Sequence, residues 1–164
     1  MKNFSFIDLF AGIGGMRIPF EELGGKCIFS SENDIHARKT YSKMFNEDED
    51  SIWGDIKKIN EKEIPKHDIL LAGFPCQPFS QAGLKKGFQD TRGTLFDDIK
   101  RIIKHHKPKA FLLENVPGIL SNDGGKTYKT ILSVLSRELG YKLPEEPKVL
   151  NAKDFGLPQN RRRI

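Results

Sequence analysis

DLFAGIGG, residues 8–15, joins a strand-like run to a helix-like run through a turn that is rich in glycine. Residues 5–9 before it form a short apolar run, and apolar residues after it recur at helical spacing until Gly24 and Gly25 end the pattern. Glycine at such a turn lets a ligand approach the backbone where the first strand of a parallel sheet ends. The stretch therefore predicts a strand, a ligand-binding turn and a helix over residues 14–23.

The remainder of the chain continues to alternate between strand-like and helix-like segments. Further helices are predicted over residues 35–45, 94–106 and 127–139, and further strands over residues 26–31, 51–53, 68–72, 109–114 and 149–150. This alternation predicts a single α/β domain whose parallel sheet is covered on both faces. Residues 73–93 fit neither period, and a loop of this length inside a domain is typically functional.

Composition excludes several classes of protein. The 164 residues are 37% hydrophobic and 30% charged, as in a globular domain, and no apolar stretch approaches the roughly 20 residues that a membrane helix needs. The N-terminal residues lack the pattern of a secretory signal, so we expect a cytoplasmic protein. Two cysteines, Cys27 and Cys76, cannot form a disulfide framework or a four-ligand zinc site, and the four histidines have no metal-binding spacing with them. We expect no metal.

Positive charge is concentrated in the second half of the chain. Of 27 basic and 22 acidic side chains, residues 1–84 carry 10 and 13, whereas residues 85–164 carry 17 and 9. A basic half is what binding to nucleic acid requires, although lysines that merely solvate a surface give the same count. The run Arg161-Arg162-Arg163 favours the first interpretation, because arginine makes bidentate contacts to phosphates and bases.

The glycine turn is only a weak match to the standard dinucleotide fingerprint. That fingerprint would place its third glycine at position 17, which is Arg17, so a nicotinamide-dependent dehydrogenase is disfavoured. Glu32 ends the second predicted strand, where an acidic residue can hold ribose hydroxyls, and Asp55 could take an adenine amino group. The alternative is a plain glycine turn flanked by solvated acids.

Two further strand ends carry reactive side chains. Cys76 follows the third long strand between Pro75 and Pro78, a turn-forming setting that favours a nucleophile over a packed thiol, whereas Cys27 lies within a strand and is interpreted as packing. Glu114 closes an apolar strand that we expect to be buried, where it could donate a proton or simply end the strand in solvent. Parallel strands would bring the thiol and the carboxyl over one cleft.

Seven motifs, in order, give the chain a close resemblance to a known family. They are DLFAGIGG (8–15), SEND (31–34), GDI (54–56), GFPCQPFSQAG (73–83), DTRGTLF (90–96), LENVPG (113–118) and QNRRR (159–163). The chain resembles the N-terminal catalytic part of the C5-cytosine-specific DNA methyltransferases of bacterial restriction–modification systems. The resemblance implies a Rossmann-like class I S-adenosylmethionine-dependent methyltransferase fold. It also implies that residues 1–164 form the catalytic and cofactor-binding domain, without the final sheet strand and the target-recognition region.

The resemblance implies S-adenosylmethionine as cofactor and S-adenosylhomocysteine as product. Glu32 would bind the ribose, and Asp55 with Ile56 the adenine. Asn33 stands where many members of the family have a bulky residue over the adenine. The remaining residues of the implied pocket are Phe10, Gly12, Ile13, Gly14, Pro75 and Leu95.

The resemblance also implies a covalent mechanism on a cytosine flipped out of duplex DNA. Cys76 would add to C6 of the base, Glu114 would protonate N3, and Arg161 with Arg163 would hold O2 and the catalytic loop. Gln77, Ser80 and Arg92 would contact the substrate or form that loop. We expect a second polypeptide or a further C-terminal part to supply target recognition. A tRNA cytosine-C5 methyltransferase and a catalytically silent DNA-binding module are the alternatives.

Overall fold

The computed structural model describes residues 3–75 and 95–164. These residues form two compact units: the first contains residues 3–74 and 101–113, and the second contains residues 75, 95–100 and 114–164. The predicted loop over residues 73–93 lies almost entirely outside the described residues, and so do Cys76, Gln77, Ser80 and Arg92.

The described residues form six strands and four α-helices. The strands are β1 (Phe4–Leu9), β2 (Gly25–Ser31), β3 (Ile69–Gly73), β4 (Ala110–Glu114), β5 (Leu150–Asn151) and β6 (Arg162–Arg163). The helices are α1 (Arg17–Glu22), α2 (Ile35–Phe45), α3 (Leu95–His106) and α4 (Lys126–Ser133), the last continued by a π-helical turn over Val134–Glu138. The α/β class predicted from the alternating pattern is confirmed. None of the helices in the described ranges is long and apolar enough to cross a membrane.

The first unit is built on a four-stranded sheet in the order β2-β1-β3-β4. β1 pairs in parallel with β2 and with β3, and Leu9 at its end lies opposite Ser31 and Ala72. The predicted parallel sheet is therefore confirmed for these strands. Because their carboxyl ends are level, the residues that follow Leu9, Ser31 and Ala72 meet at one edge of the sheet.

Aromatic side chains attach the first two helices to the sheet. Phe6 of β1 is fully buried and its ring lies 5.7 Å from that of Phe20 on α1. Tyr41 of α2 packs with Ala11 and Ile52 in a second buried cluster. α2 matches its prediction at both ends, because Asp34 caps its first turn and the chain leaves it through the left-handed residue Asn46.

Three predicted elements differ in the structure for local reasons. The helix predicted from residue 14 begins only at Arg17, because Gly14 adopts a positive φ of 92°, outside the right-handed helical region. Residues 51–53 do not form a strand: Asp48 caps a 3-10 turn over Glu49–Ser51, and only Trp53 bridges to β2. The helix predicted to residue 139 is α-helical as far as Ser133 and then widens into the π turn.

Two strands differ in their surroundings. The predicted strand at residues 149–150 appears as β5, but it pairs antiparallel with β6 in a separate two-stranded sheet of the second unit. β4 forms as predicted, yet it is not the buried strand that its apolar sequence suggested, since Leu112 is 46% exposed. Its position at the margin of the sheet explains that exposure.

Candidate active site

Backbone hydrogen bonds at Ala11 and Gly14 fix the glycine turn after β1. The Ala11 N–H donates to the Ser31 carbonyl at 3.1 Å, and the Gly14 N–H donates back to the Ala11 carbonyl at 2.8 Å. A Cβ at Gly14 would overlap the ring of Phe45, whereas a Cβ at Gly12 would meet no atom within 4 Å. Gly14 is therefore required by packing, and Gly12 leaves the backbone open on the side where a ligand can approach.

Glu32 lies against this turn, as the sequence predicts for an acid at the end of the second strand. One carboxylate oxygen accepts the Gly12 N–H at 2.8 Å, and the other accepts the Asp34 N–H at 2.8 Å. A carboxylate accepts about four hydrogen bonds, so about two acceptor positions are left for ligand hydroxyls. Asn33 and Ile13, two other predicted pocket residues, are exposed. Phe10 begins the turn with a positive φ of 54°.

The segment that carries Asp55 is tied to the same edge of the sheet. The Glu32 N–H donates to the Trp53 carbonyl at 2.8 Å, and the Ser31 hydroxyl donates to the Gly54 carbonyl at 2.7 Å. Asp55 caps the short turn Ile56–Lys58, in which Ile56 is buried. The structure thus brings Glu32, predicted to bind the ribose, and the segment of Asp55 and Ile56, predicted to contact the adenine, to one end of β2.

In the second unit, Glu114 is joined to the arginine motif. Its Oε1 lies 2.6 Å from Nε of Arg163, and both side chains are about one-third exposed. The backbones of Asn115 and Ile164 exchange two hydrogen bonds of 2.9 and 3.0 Å beside this ion pair. The carboxyl and the guanidinium are therefore held together by main-chain pairing as well as by their charges.

Arg161 is exposed, and its backbone is fixed by the turn that precedes β6. Its carbonyl accepts the Ala152 N–H at 2.9 Å. Beside it, the side-chain amide of Asn151 donates to the side-chain oxygen of Asn160 at 2.8 Å, and Asn151 is only 8% exposed. Asn151 lies outside the seven motifs, and the sequence signal that points to it is its place directly before a short helical turn, which it caps.

The other predicted site residues are not brought into either group. Pro75 is exposed, and Leu95 is half-buried at the first residue of α3. Cys27 is partly buried, its S–H donates to the Phe29 carbonyl, and burial raises the pKa of its thiol to about 11. A thiol with such a pKa stays protonated, which fits the interpretation of Cys27 as a packing residue. Within residues 3–75 and 95–164, no group of three or more potential ligands could hold a metal ion.

A parallel α/β sheet with an open glycine turn after its first strand and an acid after its second defines a class of cofactor-binding domain. The comparisons identify the family within that class. The family model for C-5 cytosine-specific DNA methylases matches residues 4–164, and the chain belongs to this family.

Several named proteins are similar to this chain. The Type II methyltransferase M.HpaII of Haemophilus parainfluenzae is 59% identical over 165 residues, which cover 99% of this chain and 45% of the relative. M.DsaV of Dactylococcopsis salina is 56% identical over 163 residues, with the same two coverages. The chain thus spans about half the length of the curated relatives that it matches.

Solved structures share the fold. A putative DNA modification methyltransferase encoded within an E. coli prophage superimposes with a TM-score of 0.76 at 28% identity, over 98% of this chain and 44% of that one. The Dnmt2 methyltransferase of S. pombe gives a TM-score of 0.71 at 23% identity, over 98% and 49% of the two chains. The methyltransferase fold expected from the motifs is confirmed, and the family does not favour the tRNA alternative.

Proposed function

We propose that the chain forms the cofactor-binding and catalytic part of a DNA cytosine-C5 methyltransferase. The observation that carries the proposal is the Glu114–Arg163 ion pair at 2.6 Å. C5 of cytosine is a poor nucleophile, and a carboxyl that protonates N3 makes addition to C6 easier. Arg163 holds Glu114 through Oε1, and we assign Oε2 to the N3 edge of the base.

The first unit binds S-adenosylmethionine in this proposal. Its residues fit the cofactor, because Gly12 leaves the backbone open and Glu32 retains acceptor positions beside it. When bound, the cofactor supplies a methyl group activated by a positively charged sulfur. Glu32 holds the ribose hydroxyls, and Asp55 with Ile56 orients the adenine. The other residues of this unit assigned to the pocket are Phe10, Ile13, Gly14 and Asn33; Pro75 and Leu95 are assigned to the cofactor by the family resemblance alone.

Cys76 starts the reaction on a cytosine turned out of the duplex. Glu114 takes up a proton from water on Oε2 before the step. The Cys76 thiolate forms a bond to C6, the electrons of the C5–C6 double bond shift toward C4 and N3, and Glu114 gives its proton to N3. C5 is then nucleophilic and accepts the methyl group. A water molecule takes the C5 proton, the bond between sulfur and C6 breaks to restore the C5–C6 double bond, and the N3 proton returns to Glu114. The products are 5-methylcytosine, S-adenosylhomocysteine and the free thiolate.

The arginine motif stabilises the negative charge that develops on the base. Arg161 and Arg163 are assigned to O2 of the cytosine and to the catalytic loop, in which Gln77, Ser80 and Arg92 contact the substrate. Double-stranded DNA is the proposed partner, and the excess of basic residues in the second half of the chain supports it. A DNA substrate also places the enzyme in the bacterial cytoplasm.

A duplex in which 5-fluorocytosine replaces cytosine tests the covalent step. Fluorine at C5 cannot leave as a proton, so elimination of Cys76 is blocked and a denaturant-resistant protein–DNA adduct should accumulate. We expect the adduct from the active enzyme that contains these residues, with mass spectrometry locating the modification on Cys76. The variant Cys76→Ser should give no adduct, and Cys27→Ser should match the wild type. An adduct that survives Cys76→Ser would refute the proposal.

Site-specific methylation by this chain is proposed to need a further polypeptide region. The relatives are about twice as long as the part that they share with this chain, and phosphate contacts from a basic face carry no sequence information. The test is methyl transfer to a randomised duplex by residues 1–164 alone. We expect no preferred sequence, and methylation confined to one sequence would contradict this part of the proposal.

A further inference from the structure

Buried polar side chains connect β1, which precedes the glycine turn, to α1, which follows it. Asp8 lies on β1 two residues before the turn begins, and Arg17 is the first residue of α1 after it. Asp8 is 0% exposed and Arg17 is 5% exposed. The Tyr41 hydroxyl, from α2, lies between them: it donates to Asp8 Oδ2 at 3.4 Å and accepts from Arg17 Nη1 at 3.1 Å.

The Arg17 guanidinium also contacts two carboxylates and an aromatic ring. Its Nε donates to Glu21 at 2.7 Å, and its Nη2 donates to Glu47 at 2.6 Å. The centre of its guanidinium lies 4.0 Å above the ring of Phe45, the same ring that leaves no room for a Cβ at Gly14. The residue that replaces the third glycine of the dinucleotide fingerprint thus joins α1, α2 and the turn.

We propose that Asp8, Tyr41 and Arg17 are positioning residues for the glycine turn and hold the Gly12 N–H where it meets Glu32. The role in cofactor binding rests on the proposed function, whereas the control of the turn does not. All three side chains are buried, and none of them is among the residues assigned to the cofactor. The chemical link to the ligand runs through Gly12, whose N–H donates to Glu32 at 2.8 Å.

The charge of Asp8 makes this connection sensitive to pH. Burial raises the pKa of Asp8 to about 7, although Arg17 and the Tyr41 hydroxyl oppose the rise; Glu32 adds to it. The thiol of Cys27, on β2, also faces this group through Tyr41. Asp8 Oδ1 is buried, with no hydrogen-bond partner among the residues that the structure describes. Above pH 7 the ionised carboxylate attracts Arg17 and accepts the Tyr41 hydroxyl, and below pH 7 the neutral carboxyl does so more weakly.

The test follows the backbone ¹⁵N–¹H signals of Gly12 and Gly14 in the 164-residue chain between pH 5.5 and 8.5. In the wild type both signals should shift with a midpoint near pH 7, and in Asp8→Asn the shift should vanish. His36→Gln is the matched control, since His36 is an exposed histidine on α2 that makes no contact with Asp8, and it should leave the glycine titration unchanged. Glycine signals that titrate equally in Asp8→Asn would overturn the proposal.

A second variant keeps the proposal testable if Asp8→Asn fails to fold. Tyr41→Phe keeps the ring and removes only the hydroxyl, so we expect a folded chain in which the glycine titration is shifted. S-adenosylhomocysteine affinity, measured by calorimetry at pH 6 and pH 8, should be higher at pH 8 and should fall roughly threefold to tenfold in Tyr41→Phe, the range for one hydrogen bond. Wild-type affinity and pH profile in Tyr41→Phe would refute the positioning role. A wild-type chain that shows the glycine titration but binds no S-adenosylhomocysteine would instead refute the proposed cofactor.

Discussion

Arg163 Nε lies 2.6 Å from Glu114 Oε1, so the side chain that ends β4 is held by the side chain that ends β6. The contact involves the Nε position of a planar guanidinium, and Arg163 Nη1 donates to the Arg162 carbonyl at 2.8 Å at the same time. Such two-sided anchoring fixes the direction of the group as well as its charge. A lysine offers only a mobile point charge in the same place.

Arg163→Lys should therefore slow methyl transfer even though the positive charge is kept. By analogy with the loss of one preorganised donor at a developing charge, we expect the single-turnover rate to fall roughly 100-fold, with little change in cofactor affinity. Arg162→Lys, at the exposed neighbouring position, is the matched control and should lose less than about twofold. Equal losses in the two variants would show that the Glu114 contact is not what matters.

Gly14 and Gly12 should respond differently to alanine. Gly14→Ala places a methyl group into the Phe45 ring and also forces alanine to a φ of 92°, so the free energy of unfolding should fall by about 3 kcal/mol. The methyl group of Gly12→Ala would meet no atom within 4 Å, so the free energy of unfolding should fall by only about 1 kcal/mol, the cost of holding alanine at a φ of 56°. Urea denaturation of both variants provides the measurement. Equal stability of the two would mean that the turn moves away from Phe45 freely.

Asp68 should make the first unit sensitive to acid. Its carboxylate pairs with Lys109 at 2.7 Å and accepts two hydrogen bonds from Ser5, and these contacts, the one with Lys109 foremost, lower its pKa from 3.8 to about 2. A lowered pKa in the folded state stabilises the fold above pH 4, and this contribution is lost as the pH falls from 4 to 2. The Tm of Asp68→Asn should vary less with pH over that window than that of the wild type. Asp50→Asn, at an exposed position, should follow the wild-type curve, and a wild-type slope in Asp68→Asn would contradict the assignment.

Local signals determined how much of this fold the sequence could predict. The bounds of α2 match the prediction from apolar periodicity, and in the structure each end is set by the residue next to it, Asp34 before the first turn and Asn46 after the last. The strand predicted over residues 51–53 does not form, because the Asp48 side chain caps a 3-10 turn there instead. The pairing of β5 with β6 escaped prediction, since nothing near residues 149–150 indicates a partner at residues 162–163.

Within the site, contacts that follow from strand topology could be predicted from the sequence, and contacts that depend on helix packing could not. The position of Glu32 beside Gly12 follows from parallel topology alone, because the carboxyl ends of neighbouring strands meet. The contacts of Arg17 could not be read in the same way, since its partners Tyr41 and Glu47 come from α2 and its C-terminal end and meet it only when that helix is packed. The fingerprint spacing identifies position 17 as the place of the missing third glycine. It does not predict which side chains an arginine at that position would contact.

Asn151 and Asn160 should behave as one unit that fixes the turn before Arg161. β5 and β6 are only two residues long, too short to hold the turn by main-chain pairing alone, and the amide contact of 2.8 Å closes it from the buried side. Asn151→Ala and Asn160→Ala should each lower the free energy of unfolding by about 1 kcal/mol and slow methyl transfer. If the contact is the cause, the double variant should cost no more than the larger single loss, giving a coupling of about 1 kcal/mol in a double-mutant cycle. Additive losses would mean that the two amides act separately and that Arg161 is positioned by its backbone alone.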